Sequence, residues 1–260
     1  MCGIVGFTGA AQAAPILLDG LAKLEYRGYD SAGMAVQNAA GKIEVVKAKG
    51  RLKVLSEMTD GGSAVPGSCG IGHTRWATHG EPSVVNAHPH YSRDQKIAVV
   101  HNGIIENYLE LKDELRKAGQ EFLSDTDTEV IPHLISSFMR KPMAFIDAIR
   151  QALTELQGSF AVGIINKKDR IMVAAKKESP LIIGVGDGEY FIASDAPAVL
   201  DRTNRFIFLE DGDMAVFKDN QLSLMDFQGK EIVRPVQTVS WTGVMAEKGG
   251  YKHFMVKEIF

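Results

Sequence analysis

The chain opens with MCGIVGF at residues 1–7, a short apolar run that Thr8 and Gly9 follow. A run of this length, with β-branched and aromatic residues and a turn signal after it, is typical of a buried strand. We therefore predict a buried strand that begins at Cys2. This prediction places a cysteine thiol at the first position of that strand.

The rest of the chain alternates between helical and strand patterns. Helical spacing of apolar residues follows Pro15, Tyr108 and Pro142, and it follows a capping box at residues 126–129. Strand patterns lie at 34–36 and 43–46 around a hairpin turn, at 69–73, at 97–100, and at Ser159–Ile165, Ile171–Ala175, Leu181–Val185, Tyr190–Ala193, Phe206–Leu209, Met214–Phe217 and Leu222–Met225. The later strands have meander spacing. This order predicts one α+β domain in which antiparallel sheets pack against segregated helices.

Composition excludes several classes of protein. The 260 residues are 45% hydrophobic and 23% charged, which is ordinary for a globular domain. The net charge of −3 means that the chain has no excess of positive charge with which to attract nucleic acid or an anionic membrane. No apolar run is long enough to span a bilayer, no secretory signal opens the chain, and two cysteines make no disulfide framework. We therefore expect a soluble cytoplasmic protein that binds no membrane.

Cys2 is the sharpest functional candidate. If Met1 is removed, Cys2 carries both a thiol and a free α-amine, whose ordinary pKa values are about 8.5 and about 7.7–8.0. One residue then provides a nucleophile and a base that is tuned near neutral pH. The alternative is a small apolar side chain buried on a strand, which is common for a free cysteine. Cys69 fits that second role better.

A polar loop between residues 72 and 90 contains several histidines and Arg75. A metal site is one interpretation, but the loop has no HExxH or CxxC motif and no carboxylate at ligand spacing, so we predict no metal and no cofactor. Histidines bonded to nearby backbone are a second interpretation. We favour a loop that grips a polar substrate, because the planar guanidinium of Arg75 suits a carboxylate.

Two further signals allow a structural or a catalytic role. The pair Asn102-Gly103 follows a predicted strand, where it is either a turn or the pair of N–H donors that an oxyanion hole needs. Asp127 stands at the mouth of a predicted helix, where it is either a cap or an anion for a substrate ammonium. Cys69 and His73 share one strand face, but no third group orients the histidine, so we discount a Cys–His dyad.

Together these motifs resemble the glutaminase domain of the glutamine–fructose-6-phosphate aminotransferase family, a branch of the class II (N-terminal-nucleophile) glutamine amidotransferases. The resemblance covers essentially the whole chain. It rests on MCGIVGF at residue 1, LEYRGYDSAG from Leu24, HTRWATHGEPS from His73, VVHNGIIEN from Val99 and SDTDTEV from Ser124.

The resemblance implies a four-layer αββα sandwich and a role for each matching residue. Cys2 would be the nucleophile and its freed α-amine the base, with Asn102 and Gly103 as the oxyanion hole. The α-carboxylate of L-glutamine would bind Arg75, Thr78 and His79, and its α-amino group Asp127 and Gly103. Trp76 would lie on a loop that closes over glutamine, and Arg27 and His88 would support the site.

The resemblance also sets expectations about the whole enzyme. Residues 2–240 would be the glutaminase domain, and residues 241–260 a tether toward a sugar isomerase domain that this chain lacks. The full-length enzyme would be a homodimer and the isolated domain a monomer. Two alternatives stay open. The domain could serve a different acceptor, or it could be a non-catalytic glutamine-binding module if Met1 is retained.

Overall fold

A computed structural model describes residues 2–141 and 143–240, which contain two antiparallel sheets and five α-helices. The helices are α1 (Ala13–Leu24), α2 (Leu52–Met58), α3 (Tyr108–Lys117), α4 (Val130–Met139) and α5 (Phe145–Glu155). The strands are β1 (Gly3–Thr8), β2 (Ser31–Gln37), β3 (Ile43–Lys49), β4 (Cys69–Arg75), β5 (His90–Tyr91), β6 (Ile97–Ile105), β7 (Gly158–Asn166), β8 (Ile171–Lys177), β9 (Ile182–Val185), β10 (Tyr190–Ala193), β11 (Arg205–Phe208), β12 (Asp213–Lys218), β13 (Gln221–Asp226) and β14 (Gln237–Thr238). Within those residues no helix is long and apolar enough to cross a membrane.

The first sheet has eight strands in the order β14-β11-β9-β10-β1-β4-β2-β3, and the second has six in the order β13-β12-β8-β7-β6-β5. The strand at the chain start, β1, lies inside the larger sheet between β4 and β10. Close packing there requires glycine: a Cβ at Gly6 would stand 2.5 Å from the side chain of Ile192. The buried strand predicted from MCGIVGF is confirmed, and it begins one residue later, at Gly3.

Three hydrophobic clusters lie between four layers of helices and sheets. The helices α1 and α2 cover the outer face of the eight-stranded sheet, where Leu17 and Leu21 are fully buried. A middle cluster lies between the sheets and includes Ile4 and Ile71. The helices α3, α4 and α5 cover the outer face of the six-stranded sheet. Because apolar side chains fill both faces of each sheet, the order of layers is αββα, as predicted.

Several local predictions need correction. The strand β6 continues through Asn102 and Gly103 to Ile105, so this pair is not a turn. The capping box at 126–129 is wrong: α4 begins at Val130, and Glu129 makes no side-chain cap bond within the described residues. Its carboxylate accepts N–H bonds from Leu123 and Ser124 instead. The sequence pattern missed α2, β5 and β14.

The late strands do not form one meander, because the chain crosses between the sheets. The strands β7, β8, β12 and β13 belong to the six-stranded sheet, whereas β9, β10 and β11 belong to the other. Their spacing predicted the strands but carried no information about which sheet each joins. The predicted tether at 241–260 and Pro142, which was expected to open α5, lie outside the described residues.

The packing of α1 on the larger sheet predicts a large cost for Leu21→Ala. Leu21 is fully buried, whereas Leu123 is 72% exposed. Truncation of a buried leucine leaves a cavity and costs about 2–5 kcal/mol. Urea denaturation followed by circular dichroism should show this loss for Leu21→Ala and less than about 0.5 kcal/mol for the control Leu123→Ala. Equal effects of the two substitutions would contradict the assigned packing.

Candidate functional site

The candidate site forms where the start of β1 meets the end of β4 and the end of β6. Antiparallel pairing sets Gly3 opposite Thr74, so Cys2 comes beside Arg75 and Trp76. The strand β6 of the other sheet brings Asn102 against the same point, because the Asn102 Nδ2 donates to the Cys2 carbonyl oxygen at 3.0 Å. Residues far apart in sequence therefore converge through strand register rather than through a local motif.

A small cavity of about 30 Å³ opens at this point. Its lining comprises Cys2, Arg75, Trp76, Thr78, His79, His88, His101, Gly103, Thr126, Asp127 and Thr128. A volume of this size holds little more than a water molecule. The cavity therefore marks the point where these side chains converge.

The thiol of Cys2 is half-buried and faces an N–H donor. The Trp76 backbone N–H donates to the Cys2 Sγ at 3.2 Å. Burial raises the pKa of the Cys2 thiol, and the Trp76 hydrogen bond and the charge of Arg75 offset this only in part. The folded environment therefore favours the neutral thiol, and a nucleophilic reaction of Cys2 needs a base.

Arg75 is buried at 4% exposure and has unused hydrogen-bonding capacity. Its Nη2 donates to the carbonyl oxygens of His79 and Gly80. Its Nη1 is buried without a hydrogen-bond partner, and Arg75 forms no ion pair in the described part of the chain. A buried cation without a counter-ion is costly, so an anionic ligand at Nη1 would be strongly favoured.

The carboxylate of Asp127 is tied to β6 rather than to a helix end. Its Oδ2 accepts the Ile105 backbone N–H at 2.8 Å, and its Oδ1 accepts a weaker bond from the Thr128 hydroxyl at 3.4 Å. The Thr128 hydroxyl also bonds the His101 Nδ1 at 2.8 Å. Because α4 starts three residues later, the helix-cap interpretation of Asp127 is wrong. Asp127 lines the same cavity as Arg75.

Asn102 and Gly103 take different positions in the site. Asn102 is not among the residues that line the cavity, but it adjoins Cys2, whose carbonyl oxygen accepts one N–H of the Asn102 amide. Gly103 lines the cavity itself and has a positive φ of 126°. A Cβ at Gly103 would stand 2.0 Å from the Ser159 carbonyl oxygen, so only glycine fits there.

The remaining predicted residues divide into two groups. Trp76, Thr78, His79 and His88 all line the cavity. Arg27 does not: it forms an ion pair with Asp195, and its Nε donates to the Tyr26 hydroxyl. Arg27 therefore anchors the 25–27 turn to the segment after β10.

Sequence reasoning missed several residues of the site. Asp30 holds the loop after β4, since its carboxylate accepts the Ala77 N–H and its own N–H donates to the Arg75 carbonyl. Its place in the YRGYDS run, one of the motifs that carry the resemblance, was a usable signal. Thr126, Thr128 and His101 gave no such signal, because only the pairing of β6 with the segment before α4 brings them to the cavity. The described residues contain no group of three or more His, Cys, Asp or Glu that could hold a metal ion.

Comparison with known proteins decides the family. Residues 73–201 match the glutamine amidotransferase domain family. This chain belongs to that family. One solved structure of similar fold is the glutamine phosphoribosylpyrophosphate amidotransferase from B. subtilis, which superposes with a TM-score of 0.76 at 29% identity over 87% of this chain and 49% of that one.

Curated relatives give the same assignment over the whole chain. A glutamine–fructose-6-phosphate aminotransferase (isomerizing) from Caldanaerobacter subterraneus subsp. tengcongensis is 52% identical over 260 residues, and one from Thermus thermophilus is 48% identical. Both alignments cover 100% of this chain and 42% of the relative. The resemblance predicted from the motifs is confirmed, and the chain spans about two fifths of the length of these glutamine amidotransferases.

The positive φ of Gly103 predicts that Gly103→Ala damages both fold and site. A left-handed alanine alone costs about 1–2 kcal/mol, and the clash with the Ser159 carbonyl adds to this. Gly119→Ala is the matched control, because Gly119 also has a positive φ, of 83°, but has nothing within 4 Å of an added Cβ. Chemical denaturation should show a larger loss for Gly103→Ala. Equal losses would mean that the strand relaxes freely around this position.

Proposed function

We propose that this chain hydrolyses the side-chain amide of L-glutamine through a γ-glutamyl thioester on Cys2. One observation carries the proposal: Cys2, Arg75 and Asp127 line the same small cavity, and the Arg75 Nη1 has no hydrogen-bond partner among the residues that the structure describes. Free glutamine carries one carboxylate and one ammonium. If these bind Arg75 and Asp127, the γ-amide remains to face Cys2.

We propose a role for each polar residue of the site toward one group of glutamine. Arg75 binds the α-carboxylate, helped by Thr78 and His79. Asp127 and the backbone of Gly103 bind the α-ammonium. Trp76 lies on the segment that covers the ligand, and its backbone N–H positions the Cys2 sulfur. His88 supports this arrangement from the cavity lining, and Arg27 supports it through the 25–27 turn that it anchors to Asp195.

The proposed reaction needs a base, and the freed α-amine of Cys2 can supply it. Once Met1 is removed, that amine accepts the thiol proton as sulfur attacks the amide carbon. The resulting oxyanion accepts N–H bonds from Gly103 and from the second hydrogen of the Asn102 amide. The carbon–nitrogen bond then breaks, and the amine returns its proton to the departing ammonia. Water hydrolyses the thioester to glutamate.

The raised pKa of the thiol makes this base important. A nucleophile that is mostly protonated loses about 10²–10⁴ in rate without a general base. If Met1 is retained, the Cys2 nitrogen is an amide and the chain would be a glutamine-binding module. Intact-mass measurement of the N-terminus separates the two cases.

We further propose that the ammonia serves a sugar-phosphate acceptor in a longer protein. The support is the similarity to glutamine–fructose-6-phosphate aminotransferases, of which this chain covers 42%. In this proposal residues 2–240 are the glutaminase domain, and residues 241–260 lead toward a sugar isomerase domain. The full-length protein is a cytoplasmic homodimer, and the isolated domain is a monomer. A protein with both parts should convert fructose 6-phosphate to an amino sugar, and this chain alone should only release glutamate.

Cys2→Ala should abolish glutamate release while leaving the fold intact, because Cys2 supplies the nucleophile. A coupled glutamate assay measures the activity, and circular dichroism checks the fold. The matched control is Cys69→Ala, since Cys69 is buried on β4 away from the cavity. That variant should keep its turnover number. Glutaminase activity in the Cys2 variant would disprove the thioester mechanism.

Arg75→Ala should weaken glutamine binding, because it leaves the substrate carboxylate without its cation. Loss of a buried charge partner costs about 2–5 kcal/mol, or roughly 30–4,000-fold in kcat/KM. Arg93→Ala is the control, because the Arg93 side chain is 59% exposed and pairs with Glu121 at the surface. Steady-state kinetics with L-glutamine give the comparison. An unchanged KM for Arg75→Ala would place the carboxylate elsewhere.

A further inference from the structure

We propose that His73 is a positioning residue whose Nε2–H holds the Asn102 amide with its nitrogen toward Cys2. The inference rests on the proposed function, since it concerns the geometry of the oxyanion donor. His73 does not line the cavity. It would act only through Asn102.

The two ends of the Asn102 amide have opposite partners. The Nδ2 donates to the Cys2 carbonyl oxygen at 3.0 Å, and the Oδ1 faces the His73 Nε2 at 2.9 Å. Reversing the amide would bring an oxygen against the Cys2 carbonyl and an N–H against the His73 N–H. Both hydrogen bonds would then be lost inside a buried site, which costs about 1–3 kcal/mol for each unsatisfied group.

The partners of His73 also fix its tautomer. The Nε2 lies 3.1 Å from the His101 carbonyl oxygen as well as 2.9 Å from the Asn102 Oδ1, and both are acceptors. The Nδ1 has no partner in the described part of the chain. The proton of a neutral ring therefore belongs on Nε2. Burial lowers the pKa of His73 to about 3, so the ring stays neutral at the pH of any ordinary assay.

The ring of His73 is held in place by its neighbours. It is fully buried and stacks on the ring of His88, with centroids 4.1 Å apart and planes 16° apart. The His88 Nδ1 in turn accepts the His101 backbone N–H at 3.3 Å. Both rings thus bind the backbone of β6 at His101, immediately before Asn102. This arrangement fixes the donor relative to the strand that carries Gly103.

The test compares two polar substitutions that differ in reach. In His73→Gln the side-chain amide nitrogen extends to about the place of the Nε2, whereas in His73→Asn it stops near the Nδ1. We expect His73→Gln to keep kcat within about fivefold of the wild type. We expect His73→Asn to lower kcat about 10–100-fold with KM for glutamine changed less than about twofold, because loss of a whole oxyanion donor costs about 10²–10³.

Two readouts separate positioning from a merely structural role. The first uses the aldehyde analogue of glutamine, which adds to a cysteine thiol and places the aldehyde oxygen where the oxyanion forms. The affinity of His73→Asn for this aldehyde should fall about as much as kcat, whereas its affinity for glutamate should stay unchanged. Combining His73→Asn with Asn102→Ala should cost no more than Asn102→Ala alone. Additive losses, or equal weakening of the aldehyde and glutamate, would overturn the proposal.

The tautomer gives a test that does not depend on a folded variant. A long-range ¹⁵N–¹H correlation spectrum of the wild-type chain should show His73 protonated on Nε2. An Nδ1–H tautomer would overturn the proposal. If the wild type hydrolyses glutamine and His73→Asn keeps its kcat, this inference fails alone. If the wild type releases no glutamate, the proposed function fails, and this inference fails with it.

Discussion

The antiparallel pairing of β1 with β4 is the constraint on which the site depends. It sets the start of the chain beside the end of β4, so that the Cys2 sulfur meets the Trp76 N–H and lies near Arg75. The pairing holds because both strands lie in the middle of an eight-stranded sheet with apolar side chains on both faces. A shift of one residue would turn every buried side chain of β1 to the opposite face, so this register is strongly specified.

The facing sheet supplies the second half of the site. The strand β6 carries Asn102 and Gly103 to Cys2, and its Ile105 N–H holds the Asp127 carboxylate in place. The cavity is therefore lined by a cation of the eight-stranded sheet, Arg75, and by an anion that is bonded to the six-stranded sheet, Asp127. Each is positioned by backbone hydrogen bonds, and no ion pair joins them in the described part of the chain, so both are available to a ligand with two opposite charges.

Local patterns predicted most of the helices and strands, but they did not predict which strands pair with one another. Apolar spacing identified α1 and the late strands, because an element that buries one face has apolar residues at a regular spacing in the sequence. The same spacing gave a single meander, because it does not record which sheet a strand joins. The pair Asn102-Gly103 allowed a turn or an oxyanion hole, yet it lies within β6, where Gly103 has a positive φ and the nearby Ser159 carbonyl leaves no room for a Cβ. His73 had no visible partner, since the Asn102 amide that it binds is 29 residues away.

The sequence by itself determined the family, the layered fold class and the chemical types at the site, because a cysteine at residue 2 and the motifs around Arg75, Asn102 and Asp127 are readable as linear patterns. Only the tertiary structure decided how these groups face one another. It paired Arg27 with Asp195 outside the cavity, tied Asp127 to β6 and joined His73 to Asn102. The physical reason is that the sequence states which residue stands at each position. The distances between side chains and the directions of their hydrogen bonds depend instead on the register between strands that are far apart in sequence.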